Sequence, residues 1–458
     1  MKIVICGAGQ VGFGIAEVLS REQNDVTVID RNPDLIKAIS DQLDVQTVVG
    51  HGAHPEVLKQ AGCDSADMII GVTLYDEVNM VACQVAHSIF NVPTKVARIR
   101  SQSYLDKQWG DLFSRDHSPI DVIISPEIEV GETVVTRLAL PGAFEMVRFV
   151  DDLVALVGIN CDENCPILDT PIKQLTELFP DLSTVIVCIE RDGELITASS
   201  QEILCVDDNV YLIADYNQVS RLLGIFGKNA EQTNHVVIAG GGNIGLYVAK
   251  RLESLARGVK VKIIENLHKR AEYIADELSN TLVLHGNALD SEILREAGVM
   301  RAGTFVSLTN NDQVNMLAAV MAKKEGAENV ACLLSSDKYT SLIPALGIDT
   351  YINPKSTTIS KILQYARRGR IRGVHSILNG AGEIIEAEAL SSSPLVQKPI
   401  RDIDLPDDVR IGAIVRDGKN IVPNGDAIIK TGDRVVVYAA ASAIKQVEQL
   451  FRVSIDFF

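Results

Sequence analysis

A short apolar run that ends in Gly-x-Gly-x-x-Gly and leads into a helix-spaced segment occurs twice in this chain, and few folds accept that pattern. Lys2–Cys6 runs into Gly7, Ala8, Gly9, Gln10, Val11 and Gly12. His235–Ala239 runs into Gly240, Gly241, Gly242, Asn243, Ile244 and Gly245, with each glycine 233 residues after its counterpart. In a doubly wound α/β sheet the first glycine allows the tight turn. The second lets a pyrophosphate approach the backbone, and the third lets helix and strand pack closely. The following helix presents its unpaired N–H groups to the phosphates.

One such fingerprint is weak evidence, but the landmarks downstream match as well. Asp30 corresponds to Glu265 at an offset of 235. The loop Gly50-His51-Gly52-Ala53 corresponds to Gly286-Asn287-Ala288-Leu289 at 236, as does Thr73-x-x-Asp76-x-x-Asn79 to Thr309-x-x-Asp312-x-x-Asn315. The offset thus drifts by only three residues, so one supersecondary design has been copied whole. A second, smaller repeat follows each copy, with Gly193 matching Gly418 and Asp208 matching Asp433 at 225.

Across 458 residues this predicts two Rossmann-like parallel sheets, each followed by a small α+β module. The expected division is a first nucleotide-binding domain at 1–124, a crossover helix and linker at 125–142 and a small domain at 143–228. The second set is 233–352, 353–372 and 373–458. A composition of 47% hydrophobic and 22% charged residues suits packed α/β domains. No apolar stretch reaches the roughly 20 residues of a membrane helix. The chain enters a strand at once, without the pattern of a signal peptide, so a cytoplasmic location is expected. A net charge of −17 argues against nucleic acid as a partner. One basic run, Arg367–Arg372, reads either as a solvated helix end or as a contact with a phosphate, a subunit or another partner. The eight cysteines are scattered, mostly in apolar runs, and are expected to be reduced. His51 and His54 could be drawn as a metal pair, but no third ligand accompanies them, so no metal is expected.

The strand Val26–Ile29 ends on Asp30, 18 residues after Gly12, at the spacing of a carboxylate that takes the adenosine ribose hydroxyls. An acid there favours NAD over NADP, although Arg31 beside it pulls the other way. A fifth strand, Lys95–Arg100, places Arg98 and Arg100 on one face by the two-residue period, where they would reach the phosphates or a carboxylate, or else form an edge strand with alternating exposed charge. The second copy keeps an acid at Glu265 but reads Val330–Leu334 where the arginines stood, so its phosphates would rest on backbone donors or on an unplaced side chain. The two sites are expected to be unequal.

The order of glycine fingerprint, acid, Gly-Asn-Ala-like loop and Thr-x-x-Asp-x-x-Asn turn resembles the RCK (KTN) nucleotide-binding domain, and the small modules resemble the RCK C-terminal domain. The likeness runs along nearly the whole chain. Two full copies are similar to the tandem-RCK regulatory subunits of bacterial potassium-uptake systems. The resemblance implies a homotetrameric ring on the cytoplasmic face of the inner membrane, docked on a potassium transporter of the TrkH/TrkG type. It also implies NAD(H) and ATP or ADP as ligands. By matching positions the first site would use Gly7 to Val11, Asp30, Thr73, Leu74 and Arg98. The second would use Gly240 to Ile244, Glu265, Thr309 and Asn310. The family's common Gly-Asp-Ala-Thr loop is absent from both copies, which leaves any contact made through that aspartate without its residue.

Two functional classes fit a duplicated dinucleotide fold. A regulator needs only that nucleotide binds two conformations unequally. An NAD-dependent oxidoreductase needs a substrate domain with a general acid or base near the nicotinamide. Neither small module offers a clustered His, Ser or Cys constellation, so the regulator is the favoured expectation and the oxidoreductase the alternative.

Overall fold

The computed structural model describes residues 1–115, 117–139, 142–228, 235–255, 258–366 and 371–451. The chain begins with β1 (Lys2–Cys6), α1 (Gln10–Arg21), β2 (Asp25–Asp30), α2 (Pro33–Ser40), β3 (Gln46–Val49) and α3 (Pro55–Gln60). It continues with β4 (Met68–Gly71), α4 (Asp76–Ser88), β5 (Thr94–Arg98), β6 (Val122–Ile124) and the first crossover helix, α5 (Pro126–Ala139). The six strands form one parallel sheet in the order β3-β2-β1-β4-β5-β6. Its central strands are near-continuous apolar runs, because helices cover both faces of such a sheet. The sixth strand, Val122–Ile124, is too short to stand out in the sequence.

The first small module contains β7 (Glu145–Phe149), β8 (Val154–Asn160), α6 (Ile172–Leu178), β9 (Thr184–Arg191), β10 (Glu194–Thr197), β11 (Asn209–Asp215) and α7 (Val219–Ile225). All pairings in its sheet, β10-β9-β11-β8-β7, are antiparallel. The second parallel sheet follows: β12 (His235–Ala239), α8 (Asn243–Ser254), β13 (Lys260–Glu265), α9 (His268–Glu277), β14 (Leu282–His285), α10 (Ser291–Ala297), β15 (Thr304–Ser307), α11 (Asp312–Lys324), β16 (Asn329–Leu333) and β17 (Thr350–Ile352). Its order, β14-β13-β12-β15-β16-β17, repeats the first. The second crossover helix, α12 (Pro354–Ala366), leads to β18 (Ile371–Ile377), β19 (Gly382–Glu388), β20 (Val409–Arg416), β21 (Lys419–Ile421), β22 (Arg434–Ala440) and α13 (Ile444–Leu450). That last sheet, β18-β19-β22-β20-β21, has the topology of the first small module. The repeat extends to one ion pair. Arg191 bonds Asp208 twice at 2.8 Å, and Arg416 bonds Asp433 at 2.8 and 2.7 Å, with both aspartates buried.

The chain divides into two compact units, one of Met1–Glu129 with Lys355–Arg368 and the other of Val130–Pro354 with Gly369–Phe458. In the first unit the core between α1 and the sheet, with Ile3, Ile15, Leu19 and Ile124, is completed by Ile359, Ile362 and Leu363 of α12. In the second unit the matching core, with Val236, Ile238, Val248 and Leu252, is completed by Val130, Val134, Val135 and Leu138 of α5. Each crossover helix therefore covers the sheet of the other half. Of the basic run, residues 367–370 lie outside the described residues, and Arg372 pairs with Glu388 at 2.7 Å.

Within the second unit the two small modules share one core, built from Leu156, Val187 and Tyr211 on one side and Ile384, Ala413 and Tyr438 on the other. Glu145 on β7 sits in that unit between His375 at 2.8 Å and Arg137 at 3.8 Å. Burial pushes its carboxyl up, but His375 and Arg137 outweigh burial and hold it below the usual carboxylate range.

Candidate functional site

In the first unit the strand order reverses between β1 and β4, and a crevice opens there at the carboxyl ends of the strands. A cavity of about 430 Å³ is lined by Gly7, Gly9, Gln10 and Val11, by Asp30 and Arg31, by Gly50 to Gly52, by Thr73, Leu74 and Tyr75, and by Arg98. The glycine loop is shaped by contact. A Cβ on Gly12 would fall 1.8 Å from the Gly7 carbonyl oxygen, whereas a Cβ on Gly9 would meet nothing within 4 Å. Gly12 is thus required by the fold, and the open space beside Gly9 is where a phosphate would lie. Gly9 gives α1 no side-chain cap and no acid stands in its first turn, so the N–H groups there remain available to an anion.

The acid at the end of β2 first holds this loop. Asp30 accepts hydrogen bonds from Ala8 N and Asn32 N, both at 2.8 Å. Each carboxylate oxygen keeps a further lone-pair site for a ribose hydroxyl. Arg31 is exposed, with its guanidinium carbon 5.5 Å from the Tyr75 ring centroid, and Leu74 beside it is 73% exposed. These side chains stand at the mouth of the crevice.

The Thr-x-x-Asp-x-x-Asn turn builds the opposite wall. Asn79, fully buried, accepts from Thr73 N and Thr73 Oγ1 at 2.8 Å and donates to the carbonyl oxygens of Thr73 and Arg98. Asp76 accepts from the backbone N–H groups of Arg100 and Ser101. Arg98 donates to Thr73 O at 2.7 Å, and its Nε is buried without a partner. Burial, with Arg100 nearby, pulls its guanidinium below the usual value. A buried cation with an unused donor at the crevice wall fits a phosphate or a carboxylate.

Arg100 does not join it. β5 ends at Arg98, so the two-residue period no longer governs Arg100, and its Nε donates to Glu127 at 3.1 Å instead. The structure thus brings Arg98 to the cavity wall and pairs Arg100 with a buried acid, a carboxylate contact of the kind the sequence reading allowed. His51 and His54 stack at 4.6 Å, and His51 Nδ1 accepts from Ala53 N. Among the described residues no group of three His, Cys, Asp or Glu side chains could hold a metal.

The second loop repeats the backbone solution with a different cation. A Cβ on Gly245 would fall 2.0 Å from the Gly240 carbonyl oxygen, and again nothing lies within 4 Å of one on Gly242. Glu265 accepts from Gly241 N at 2.7 Å and Leu267 N at 2.9 Å. Asn315 makes to Thr309 and to Leu333 O the four bonds that Asn79 makes in the first copy. Asn310, Asn243 and Gly242 are exposed at the rim, and Ile244 is half-buried. Sequence reasoning missed the cation here. Arg270, on the first turn of α9, donates to Gly241 O at 2.7 Å and lies 3.4 Å from Asn243 Oδ1, with its guanidinium carbon 5.0 Å from the Tyr273 ring centroid. Its signal was a position five residues beyond the acid, occupied in the first copy by Leu35. The first site thus carries a cation on the β4–β5 flank, and the second carries one on the flank of the acid.

Two glycine loops at strand-order reversals, each parallel sheet followed by an antiparallel module, define a duplicated Rossmann-type protein of the nucleotide-binding class. The TrkA-N domain family model matches residues 3–126 and 236–354, and the TrkA-C domain model matches 384–452. The "Trk system potassium uptake protein TrkA" of Azorhizobium caulinodans is 55% identical over 458 residues, with 100% of both chains covered. The protein of the same name from Halomonas elongata is 39% identical over 462 residues, again with 100% of both covered. The chain belongs to this TrkA family of potassium uptake proteins. Among solved structures, the GsuK RCK domain superposes with a TM-score of 0.59 at 17% identity, over 98% of this chain and 94% of that one, which shows a shared RCK fold. The GsuK channel bound to NAD gives 0.59 over 98% and 78%, also at 17% identity. GsuK bound to ADP gives 0.50 at 14% identity over 80% and 70%. Among the described residues no helix is long and apolar enough to cross a membrane.

Proposed function

We propose that the chain is the nucleotide-sensing regulatory subunit of a potassium-uptake system, taking NAD(H), ATP or ADP and gating transport through a TrkH/TrkG-type membrane subunit by conformational change. The observation that carries this reading is the first crevice: uncapped helix N–H groups, Asp30 at the ribose position and the Arg98 side chain line one cavity. Membership of a potassium-uptake family supplies the physiological setting, and GsuK, which shares the fold, has been solved with NAD and with ADP. Homotetrameric assembly at the cytoplasmic face of the inner membrane belongs to the same reading. So does the division into two nucleotide-binding and two small domains at the boundaries expected from sequence.

Within this reading the residues take the following roles. Gly7 to Gly12 hold the pyrophosphate, Asp30 the adenosine ribose, and Arg98 with Thr73 the phosphate nearest β4. Gly240 to Gly245, Glu265, Thr309 and Asn310 serve the second loop, with Arg270 as its cation. A nucleotide that favours one conformation by tenfold contributes about 1.4 kcal/mol per site, so several sites acting together move a gate.

Isothermal titration of NADH and of ATP into the full-length chain tests the assignment. Arg98→Ala is expected to weaken both ligands by about tenfold or more, the scale of one lost charge-assisted hydrogen bond. Asp30→Ala is expected to weaken NADH as well. Unchanged affinity in both variants would remove the first crevice from the mechanism.

A further inference from the structure

Each exchanged crossover helix meets its sheet-side helix through one small and one large residue, and the two units assign them in reverse. In the first unit the small residue is on α1: a Cβ on Gly14 would come 2.3 Å from Cδ1 of Ile359 on α12. In the second it is on the crossover helix: a Cβ on Gly131 of α5 would come 2.3 Å from Cδ1 of Tyr247 on α8. Gly14 and Tyr247 are the same repeat position, at the offset of 233 that relates the glycine fingerprints. Gly131 and Ile359 are likewise equivalent, 228 apart, as are Pro126 and Pro354.

A second contact has the same asymmetry. Glu132, next to Gly131, accepts from the Tyr247 hydroxyl at 2.7 Å and from Arg251 Nε at 2.9 Å. The equivalent positions in the first half are Gly14 and Val18, which offer no side-chain donor. If each crossover helix met the sheet of its own kind of half, Gly131 would face Gly14 across a void, with Glu132 lacking both partners. Ile359 would be driven into Tyr247. Voids and overlaps in a packed contact are both unfavourable.

We propose that this reversed small–large pair is a recognition code: the surface that receives a crossover helix fits the helix of the unlike half and rejects that of the like half. The code serves assembly. Like halves that exchanged helices between chains would join each copy to two others, through its first and its second half, in an open array, whereas unlike pairing closes within one chain. The proposal is independent of the nucleotide reading.

The test uses the full-length chain carrying cysteines at Glu132 and Arg251 as reporters, joined by a short bis-maleimide and mapped by mass spectrometry. Exchanging the residues on the receiving helices, Gly14→Tyr with Tyr247→Gly, turns the fit toward like halves. It is expected to cut the 132–251 crosslink by about tenfold or more with helix content retained, the scale of one overpacked contact. Adding Gly131→Ile with Ile359→Gly exchanges the code on both sides and is expected to restore the crosslink. An unchanged yield in the double exchange overturns the proposal, as does a yield that the fourfold exchange fails to restore. A loss of crosslink that comes with loss of helix content is unfolding rather than recognition, and overturns it too.

Discussion

At Asn79 one buried side chain closes four hydrogen bonds, three to Thr73 and one to the Arg98 carbonyl, and Asn315 repeats the pattern. The Thr-x-x-Asp-x-x-Asn signature is therefore scaffolding: it fixes the wall from which Arg98 reaches the crevice. Arg100 separates position from role. Its backbone N–H is held by Asp76, and its side chain serves Glu127, which is 5% exposed and already has one oxygen, Oε2, without a partner. Arg100→Ala is expected to cost about 1–3 kcal/mol of stability in urea unfolding by leaving that carboxylate unpaired. It should leave nucleotide affinity within about twofold. A tenfold loss of affinity would return Arg100 to the binding set. The sequence signals for the glycines and the two acids were local, and Asp30 and Glu265 each accept a backbone bond from their glycine loop. The split between Arg98 and Arg100 depended on where β5 ends, and a strand terminus is the least legible feature of a short strand.

Among elements, the crossover helices show how pattern and partner differ. The apolar spacing of Val130, Val134, Val135 and Leu138 marks an amphipathic helix at the place expected, but spacing says nothing about which sheet covers it. The consequence is testable. Ile362 is fully buried in the core of the first sheet although it lies in the second half of the sequence. Ile362→Ala is expected to cost about 2–5 kcal/mol. The lost protection should appear in hydrogen exchange of β1, β2 and β4, with β12 and β13 unaffected. Protection lost only in β12 and β13 would refute the exchange.

The paired small modules have their own signature in acid. Glu145 has a folded pKa held below its unfolded value. Its stabilising contribution is therefore complete above the unfolded carboxylate value and is lost as pH falls through the folded one. Glu145→Gln is expected to flatten the acid limb of a melting-temperature profile. An unaltered limb would mean that Glu145 does not couple protons to folding.

For the whole molecule, duplication has produced two loops with the same backbone and different cations, Arg98 on the β4–β5 flank and Arg270 beside the acid of the second copy. Under the proposed function these are separable inputs. A full-length titration with ATP is expected to lose one binding phase in Arg98→Ala and a different one in Arg270→Ala, with the double variant losing both. Loss of the same phase in both single variants would mean one functional site.

The sequence by itself determined the two parallel sheets, the two small modules, the glycine loops and the acids, because each follows from short-range patterns of strand period, turn glycine and repeat offset. Only the tertiary structure decided which arginine lines the first crevice, that Arg270 stands against the second glycine loop, and that each crossover helix closes the other half. These depend on where strands stop and on which distant surfaces fit, and packing between segments far apart in the chain leaves no periodic mark on either segment alone.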